Sequence, residues 1–257
     1  MLFTEPGLTK TERVALDTDG HVLLPGRLTP EARAALITAL ADIESQAGPD
    51  QARPRRYSAE HNDYLASLIA NPEMIALVQA AIGPEIRFDH CVALNRAGGD
   101  NGADWHSHDY AEDRPDLAFV RVFFYINGFT PNDGGLKAVS GSHLYRDPKI
   151  RARSGDQARS GVDKDEAFRA GWLMGKTHPL TGAPLTIENL TAPEGSVILM
   201  HTHAAHAVSP RQAGSPMRWC VVYAYRNPGA PVSVARWISK EFEQSPPPGA
   251  EWLMPEQ

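Results

Sequence analysis

Trp105-His106-Ser107-His108-Asp109-Tyr110 gathers two imidazoles, a carboxylate and two aromatic rings directly after the Gly- and Asp-rich residues 98–104. In an extended chain, side chains two positions apart share a face. His106 and His108 therefore aim at one point, with Ser107 and Asp109 turned away. A strand end of this kind presents two ligands to one metal ion. The chain after it reads as a barrel that brings up a third ligand and a basic anchor.

Working outward, Ile86, Phe88, His90, Val92 and Leu94 alternate with Arg87, Asp89, Cys91, Ala93 and Asn95, which is strand spacing. Residues 117–126, rich in Val and Phe, predict a strand buried on both faces. Pro131-Asn132-Asp133-Gly134-Gly135 is a turn, and residues 136–139 are a short strand closed by a second turn, Ser140-Gly141-Ser142. Residues 185–190, 197–200, 204–208 and 219–225 are further strands, and residues 20–25 a first one. Helices start at Thr29-Pro30-Glu31 and at Asn71-Pro72-Glu73, where a capping side chain, a proline and a carboxylate follow one another. The second helix stops at Gly83-Pro84. Residues 46–56 read as a polar loop, and residues 145–182 as a long polar excursion of the lid type. Helices followed by many short strands predict a mainly β fold with flanking helices: a double-stranded β-helix, or jelly roll, of the cupin-like barrel kind. One domain over residues 1–257 is expected, with the insertion at about 145–182.

Composition removes several function classes. The net charge is −6 and no basic block occurs, which argues against a nucleic-acid partner. No apolar run approaches the ~20 residues that cross a bilayer, so no membrane partner is expected. The first residues lack the basic start and apolar core of a signal peptide, which makes the cytoplasm the expected compartment. Cys91 and Cys220 lie in apolar surroundings and read as buried reduced thiols.

A third ligand is sought in Met200-His201-Thr202-His203-Ala204-Ala205-His206. His201 and His203 share a strand parity and His206 has the other, so the three cannot all face one way. Arg218 opens the last apolar strand, where its guanidinium calls for a carboxylate partner or sits in an exposed salt bridge.

These residues resemble the phytanoyl-CoA dioxygenase family. Pro131-Asn132-Asp133-Gly134-Gly135-Leu136-Lys137-Ala138-Val139-Ser140-Gly141-Ser142-His143 is similar to its Asn-Gly-Pro-Leu-x-x-Val-Pro-Gly-Ser-His segment. Glu194-Gly195-Ser196-Val197-Ile198-Leu199-Met200, leading to His206 and Arg218, is similar to its closing segment. The likeness runs from about Asp19 to Arg226. It implies an enzyme, a non-haem iron dioxygenase using Fe(II), 2-oxoglutarate and O2 to oxidise a C–H bond of a small-molecule substrate, most simply by hydroxylation, with release of succinate and CO2. It makes His106 and His206 metal ligands, Arg218 the clamp for the cosubstrate, and Asn95 a polar cosubstrate contact. His143 becomes structural, within its turn.

This chain departs from the family at one place. The family has His-x-Asp, and here His108 stands where the carboxylate should be. Three arrangements are open. His106, His108 and His206 form a three-histidine iron site, which strand parity favours. Asp109 supplies the carboxylate through a bulge. The three histidines hold Zn²⁺ in a hydrolase or lyase. A non-catalytic jelly-roll binding protein would need none of these. Trp105, Tyr110 and Phe124 are candidate pocket walls, with core packing the stronger reading for Phe124. The loop cations Arg146, Arg151, Arg153, Arg159 and Lys164 would suit an anionic substrate, but a solvated charged face is the stronger reading.

Overall fold

In the computed structural model, which describes residues 1–48, 52–108, 116–147, 150, 163–228 and 237–254, the Val- and Phe-rich run forms β4 (Phe119–Tyr125). Every residue of β4 is buried, as expected for a strand covered on both faces. It lies in the middle of a five-stranded antiparallel sheet, flanked by β7 (Ser196–His201) and β9 (Cys220–Arg226). The outer strands are β1 (His21–Leu24) beside β7 and β2 (Arg87–Ala93) beside β9. A second antiparallel sheet runs in the order β3 (Ala103–His106), β8 (His206–Val208), β5 (Leu136–Ala138), β6 (Glu188–Asn189). The two sheets form the expected jelly roll.

Alternation along the strands sorts the core into two layers. Val120, Val122 and Phe124 point away from the second sheet, with Val197, Leu199, Tyr223 and Tyr225, and pack on helices. Phe123, Tyr125, Ile198, Met200 and Val222 point inward and meet Leu136 and Ala138 of the second sheet. The helical layer is α1 (Lys10–Asp19), α2 (Pro30–Gln46), α3 (Arg53–Arg56), α4 (Asp63–Ser67) and α5 (Pro72–Ile82). Thr29 caps α2 by accepting from Ala32 N–H, and Asn71 caps α5 by accepting from Glu73 and Met74 N–H, as their sequences predict. Two buried tyrosines tie the layers together. Tyr223 and Tyr225 donate their hydroxyls to the carbonyls of Leu65 and Ile69, at 2.9 and 2.8 Å. Both thiols are buried, and desolvation raises Cys91 to about 12 and Cys220 to about 11.

Three features differ from expectation. Helix α1 was not anticipated, because Leu16 is its only fully buried residue and leaves almost no apolar period. Its capping box, Thr9 with Glu12, is nonetheless legible. The stretch 46–56 ends in the short helix α3 rather than in loop. Strand β2 does not alternate throughout: a β-bulge between Phe88 and His90 leaves Phe88 beside Tyr225 on the helix side but sets His90 opposite Ala224 on the inner side. Within residues 145–182, α6 (Lys164–Ala170) stacks Phe168 on Trp105, with ring centroids 4.1 Å apart. Arg151, Arg153 and Arg159 lie outside the described residues.

The C-terminal end of α1 is held by imidazoles from two other segments. The carbonyls of Asp17 and Thr18 accept from Nε2 of His143 and of His178, each at 3.1 Å. His143 stacks on His201, with centroids 5.2 Å apart and planes within 6°. Gly20 closes the helix at φ +85°, and a Cβ there would clash with His143, 2.4 Å from its Nδ1. Burial, with His201 alongside, lowers His143 to about 4, and burial lowers His201 to about 4.

Two outcomes follow from this packing. Gly20→Ala should destabilise the fold by ~2 kcal/mol or more in urea unfolding, since the αL geometry and the lost space add. Both histidines bind protons more weakly folded than unfolded. Their stabilisation is therefore complete above the unfolded value near 6.5 and lost as pH falls towards 4, by up to ~3 kcal/mol for His143 alone. Unfolding midpoints measured between pH 7 and pH 4 should fall steeply, and less steeply in His143→Gln.

Candidate metal centre

His106 closes β3 directly opposite His206, which opens β8. His108 lies two residues past the end of β3, where its N–H donates to the carbonyl of Thr202 at 3.2 Å. The pairing and this bond bring the rings together: centroids are 4.1 Å apart for His106 and His206, 5.0 Å for His106 and His108, and 5.3 Å for His108 and His206. One ring nitrogen from each of the three lies within 4.8 Å of the others.

Backbone carbonyls fix the tautomers. Nδ1 of His106 is 2.7 Å from the carbonyl of Asp104, and Nδ1 of His206 is 2.9 Å from that of Ala204. A carbonyl only accepts, so each Nδ1 carries the proton and each Nε2 keeps its lone pair for a metal. Burial, and then the guanidinium of Arg121, hold His108 well below the ordinary imidazole range, so it too is neutral. Three neutral imidazoles suit a divalent transition ion by their chemistry. His201 stacks on His143 on the other side of β7 and stays out of this group, as does the buried His203. Asp109 and Tyr110 lie outside the described residues.

Arg218 precedes β9 with the parity of Cys220 and Val222, so it points into the barrel, and it is 2 % exposed. Its Nη1 donates to the carbonyl of Gly134, and its Cζ lies 5.3 Å from the centre of the Tyr125 ring. A carboxylate is not among its described contacts, because Asp133 is bonded to Arg211 at 2.9 Å. Nε of Arg218 is buried without an acceptor. That unmet donor, in a barrel whose other end holds the imidazoles, fits a bound dicarboxylate. Gly134 lies four residues along the ladder from Ala138, the partner of His206, a distance of about 13 Å.

Asn95 corrects an expectation. Its amide donates to Glu44 on α2 at 2.9 Å, and its oxygen accepts from Cys220 N–H at 3.1 Å. It sits on the helix side of the sheet, so a cosubstrate contact does not follow. It shares this face with Cys91 and Ala93, as strand alternation requires. Phe124 also faces the helices, stacking edge-on to Phe3, and Trp105 packs on α6 while donating to Asp165 at 2.9 Å. Four further polar side chains line the inner wall, Asp89, His90, Arg121 and Arg226, all buried and none marked out by motif spacing. An arginine in the centre of Phe119-Val120-Arg121-Val122-Phe123 was the available signal.

No protein of the curated set matches the sequence. Solved structures share the fold. HygX from Streptomyces hygroscopicus, with nickel and 2-oxoglutarate bound, superposes with a TM-score of 0.61 at 18 % identity, covering 86 % of this chain and 87 % of that one. SnoK, a non-haem α-ketoglutarate-dependent carbocyclase of nogalamycin biosynthesis, gives 0.64 at 16 % identity over 93 % and 90 %. EctD from S. alaskensis with bound Fe gives 0.60 at 15 % over 88 % and 79 %. The family model for phytanoyl-CoA dioxygenase (PhyH) matches residues 16–218, which takes in the three histidines and ends on Arg218. The chain belongs to the phytanoyl-CoA dioxygenase family and is a non-haem iron, 2-oxoglutarate-dependent dioxygenase.

Proposed function

We propose that His106, His108 and His206 hold the iron, that Arg218 grips the distal carboxylate of 2-oxoglutarate, and that the enzyme hydroxylates a C–H bond of a small molecule with release of succinate and CO2. The observation that carries this reading is the convergence of the three imidazoles at one end of a barrel whose other end holds a buried guanidinium. Iron, when bound there, supplies the centre that chelates a 2-oxo acid and activates O2. The chain does the rest. The carbonyls of Asp104 and Ala204 keep His106 and His206 in the ligating tautomer. Arg218 offers its donors to an anion in a dry interior, where a charge-assisted bond is strong. Phe123, Ile198, Met200 and Val222 exclude water between the two ends. Within the insertion, α6 and the turn after it cover this end of the barrel, with Phe168 and Trp172 stacked towards Trp105. Two buried reduced thiols suit the cytoplasm as the working compartment.

The His-x-His pattern sets this site apart from the usual two-histidine, one-carboxylate face. With His108 in place of a carboxylate, the ligand set loses a negative charge, which weakens its hold on the ion. Zinc hydrolysis would use the same imidazoles but would leave Arg218 without a task.

Anaerobic titration with Fe(II) and 2-oxoglutarate should develop the charge-transfer band of the chelate. Arg218→Ala should raise the Kd for 2-oxoglutarate by about 30-fold or more while iron still binds. His206→Ala should abolish metal uptake, and His108→Asp should bind Fe(II) more tightly than the parent protein. Stoichiometric zinc with no chelate band, and no succinate formed in air, would sink the oxygenase reading.

A further inference from the structure

Charge does not balance at the barrel end that holds Arg218. Among the described residues, three guanidiniums gather there, Arg96, Arg211 and Arg218, with two carboxylates, Asp100 and Asp133. The backbone sets the group: Arg96 and Arg218 exchange N–H to carbonyl bonds at 3.0 and 2.9 Å, and Arg211 N–H donates to the Asp100 carbonyl at 2.7 Å. Each carboxylate already has its cation. Asp100 accepts from Nη1 of Arg96 at 2.5 Å, and Asp133 from Nη1 of Arg211 at 2.9 Å. Arg218 is the cation left over.

Asp133 is the nearest competitor for it. It directly precedes Gly134, whose carbonyl accepts from Nη1 of Arg218. A Cβ built on Gly134 would sit 2.5 Å from Cδ of Arg211 and 3.0 Å from Nη1 of Arg218, so both side chains flank one point of the backbone. Desolvation raises the Asp133 carboxyl, but bonds from Gln212 N–H and Ser215, with the charges of Arg211 and then Arg218, hold it below the usual range. Arg211 is buried and committed to this place: Nη1 also donates to the Asp133 carbonyl at 3.2 Å, and Nη2 to the carbonyl of Pro216. Aligned through Leu136 and Gly141-Ser142-His143, the family segment has an uncharged Asn where this chain has Asp133. An unpaired carboxylate here would compete with a dicarboxylate for Arg218, because charges in a poorly solvated site act strongly on one another.

We infer that Arg211 is a positioning residue for the cosubstrate: by neutralising Asp133, it leaves the charge of Arg218 for the distal carboxylate of 2-oxoglutarate. This inference rests on Arg218 as the clamp, as proposed above. The rival role for the pair is a brace, since Asp133 also accepts from Gln212 N–H at 2.8 Å and from the Ser215 hydroxyl at 2.9 Å in the segment leading to Arg218. Asp133→Asn separates the two roles. It removes the charge yet keeps an acceptor for Gln212 and a hydrogen-bonding partner for Ser215.

The test is calorimetric titration of the intact, Ni(II)-loaded protein with 2-oxoglutarate, with Ni(II) uptake as the check on folding. Arg211→Gln should raise the Kd for 2-oxoglutarate about tenfold. Asp133→Asn should lower it about threefold, since Arg211 then adds an uncompensated positive charge. The double variant, Asp133→Asn with Arg211→Gln, should recover most of the loss. The inference fails if Arg211→Gln binds like the parent, if the double variant stays as weak as Arg211→Gln, or if Asp133→Asn weakens binding as the loss of a brace would. Should Arg211→Gln not fold, Asp133→Asn decides alone: tighter binding upholds the inference, and equal or weaker binding overturns it. A parent protein that takes up Ni(II) but no 2-oxoglutarate, or an Arg218→Ala variant that binds it equally well, counts against the clamp itself. The other failures arise with that clamp intact, so the two are told apart.

Discussion

The arrangement depends on one pairing between strands, β3 against β8. Side chains in a strand alternate with a period of two, so a one-residue slip would turn His106 and His206 out of register and onto opposite faces. The chain pins this pairing from several sides. His108 N–H bonds to Thr202, and Thr202 N–H bonds to Phe119, which fixes the β7–β8 connection to the large sheet. Ser142 accepts from Ala205 N–H at 2.9 Å and donates its own hydroxyl to Val139. The Gly-Ser-His turn is thus a brace for the strand that carries His206, and His143 at its end locks the same brace to α1.

The second constraint is electrostatic. Among the described residues the middle of the barrel is apolar, and charged side chains on its inner wall lie at its two ends. Arg218 lies at one end, bonded to Gly134, and Arg121 and Arg226 at the other, with Asp89 and His90. Burying a guanidinium is costly unless it is paired and hydrogen-bonded.

The helical layer has a different task. It contributes no group to the three-histidine cluster, yet it covers the outer face of the large sheet, and Tyr223 and Tyr225 bond it to that sheet through α4 and the turn after it. Asn95 belongs to this layer as well, clasping Glu44 on α2. The family resemblance, not spacing, suggested Asn95 for the site, and the alternation of Cys91, Ala93 and Asn95 against His90, Val92 and Leu94 holds in the structure. The bulge was invisible in the pattern, since Ile86, Phe88, His90, Val92 and Leu94 alternate perfectly well on paper.

Much was determined by local chemistry. The caps at Thr29 and Asn71, the doubly buried strand through Phe119–Tyr125, the turns around Gly134 and Gly141, and the paired imidazoles of Trp105-His106-Ser107-His108 are each set by residues adjacent in the chain, so they could be read there. Which distant histidine joins His106 and His108 was undecidable from spacing, because His201, His203 and His206 differ only in the face they take. Folding decided it through the register of β8 with β3, and likewise placed His201 on His143 and Arg121 near His108. Those contacts join residues as far as a hundred positions apart, and their geometry is fixed by sheet register and a single bulge, neither of which leaves a mark in the order of the amino acids.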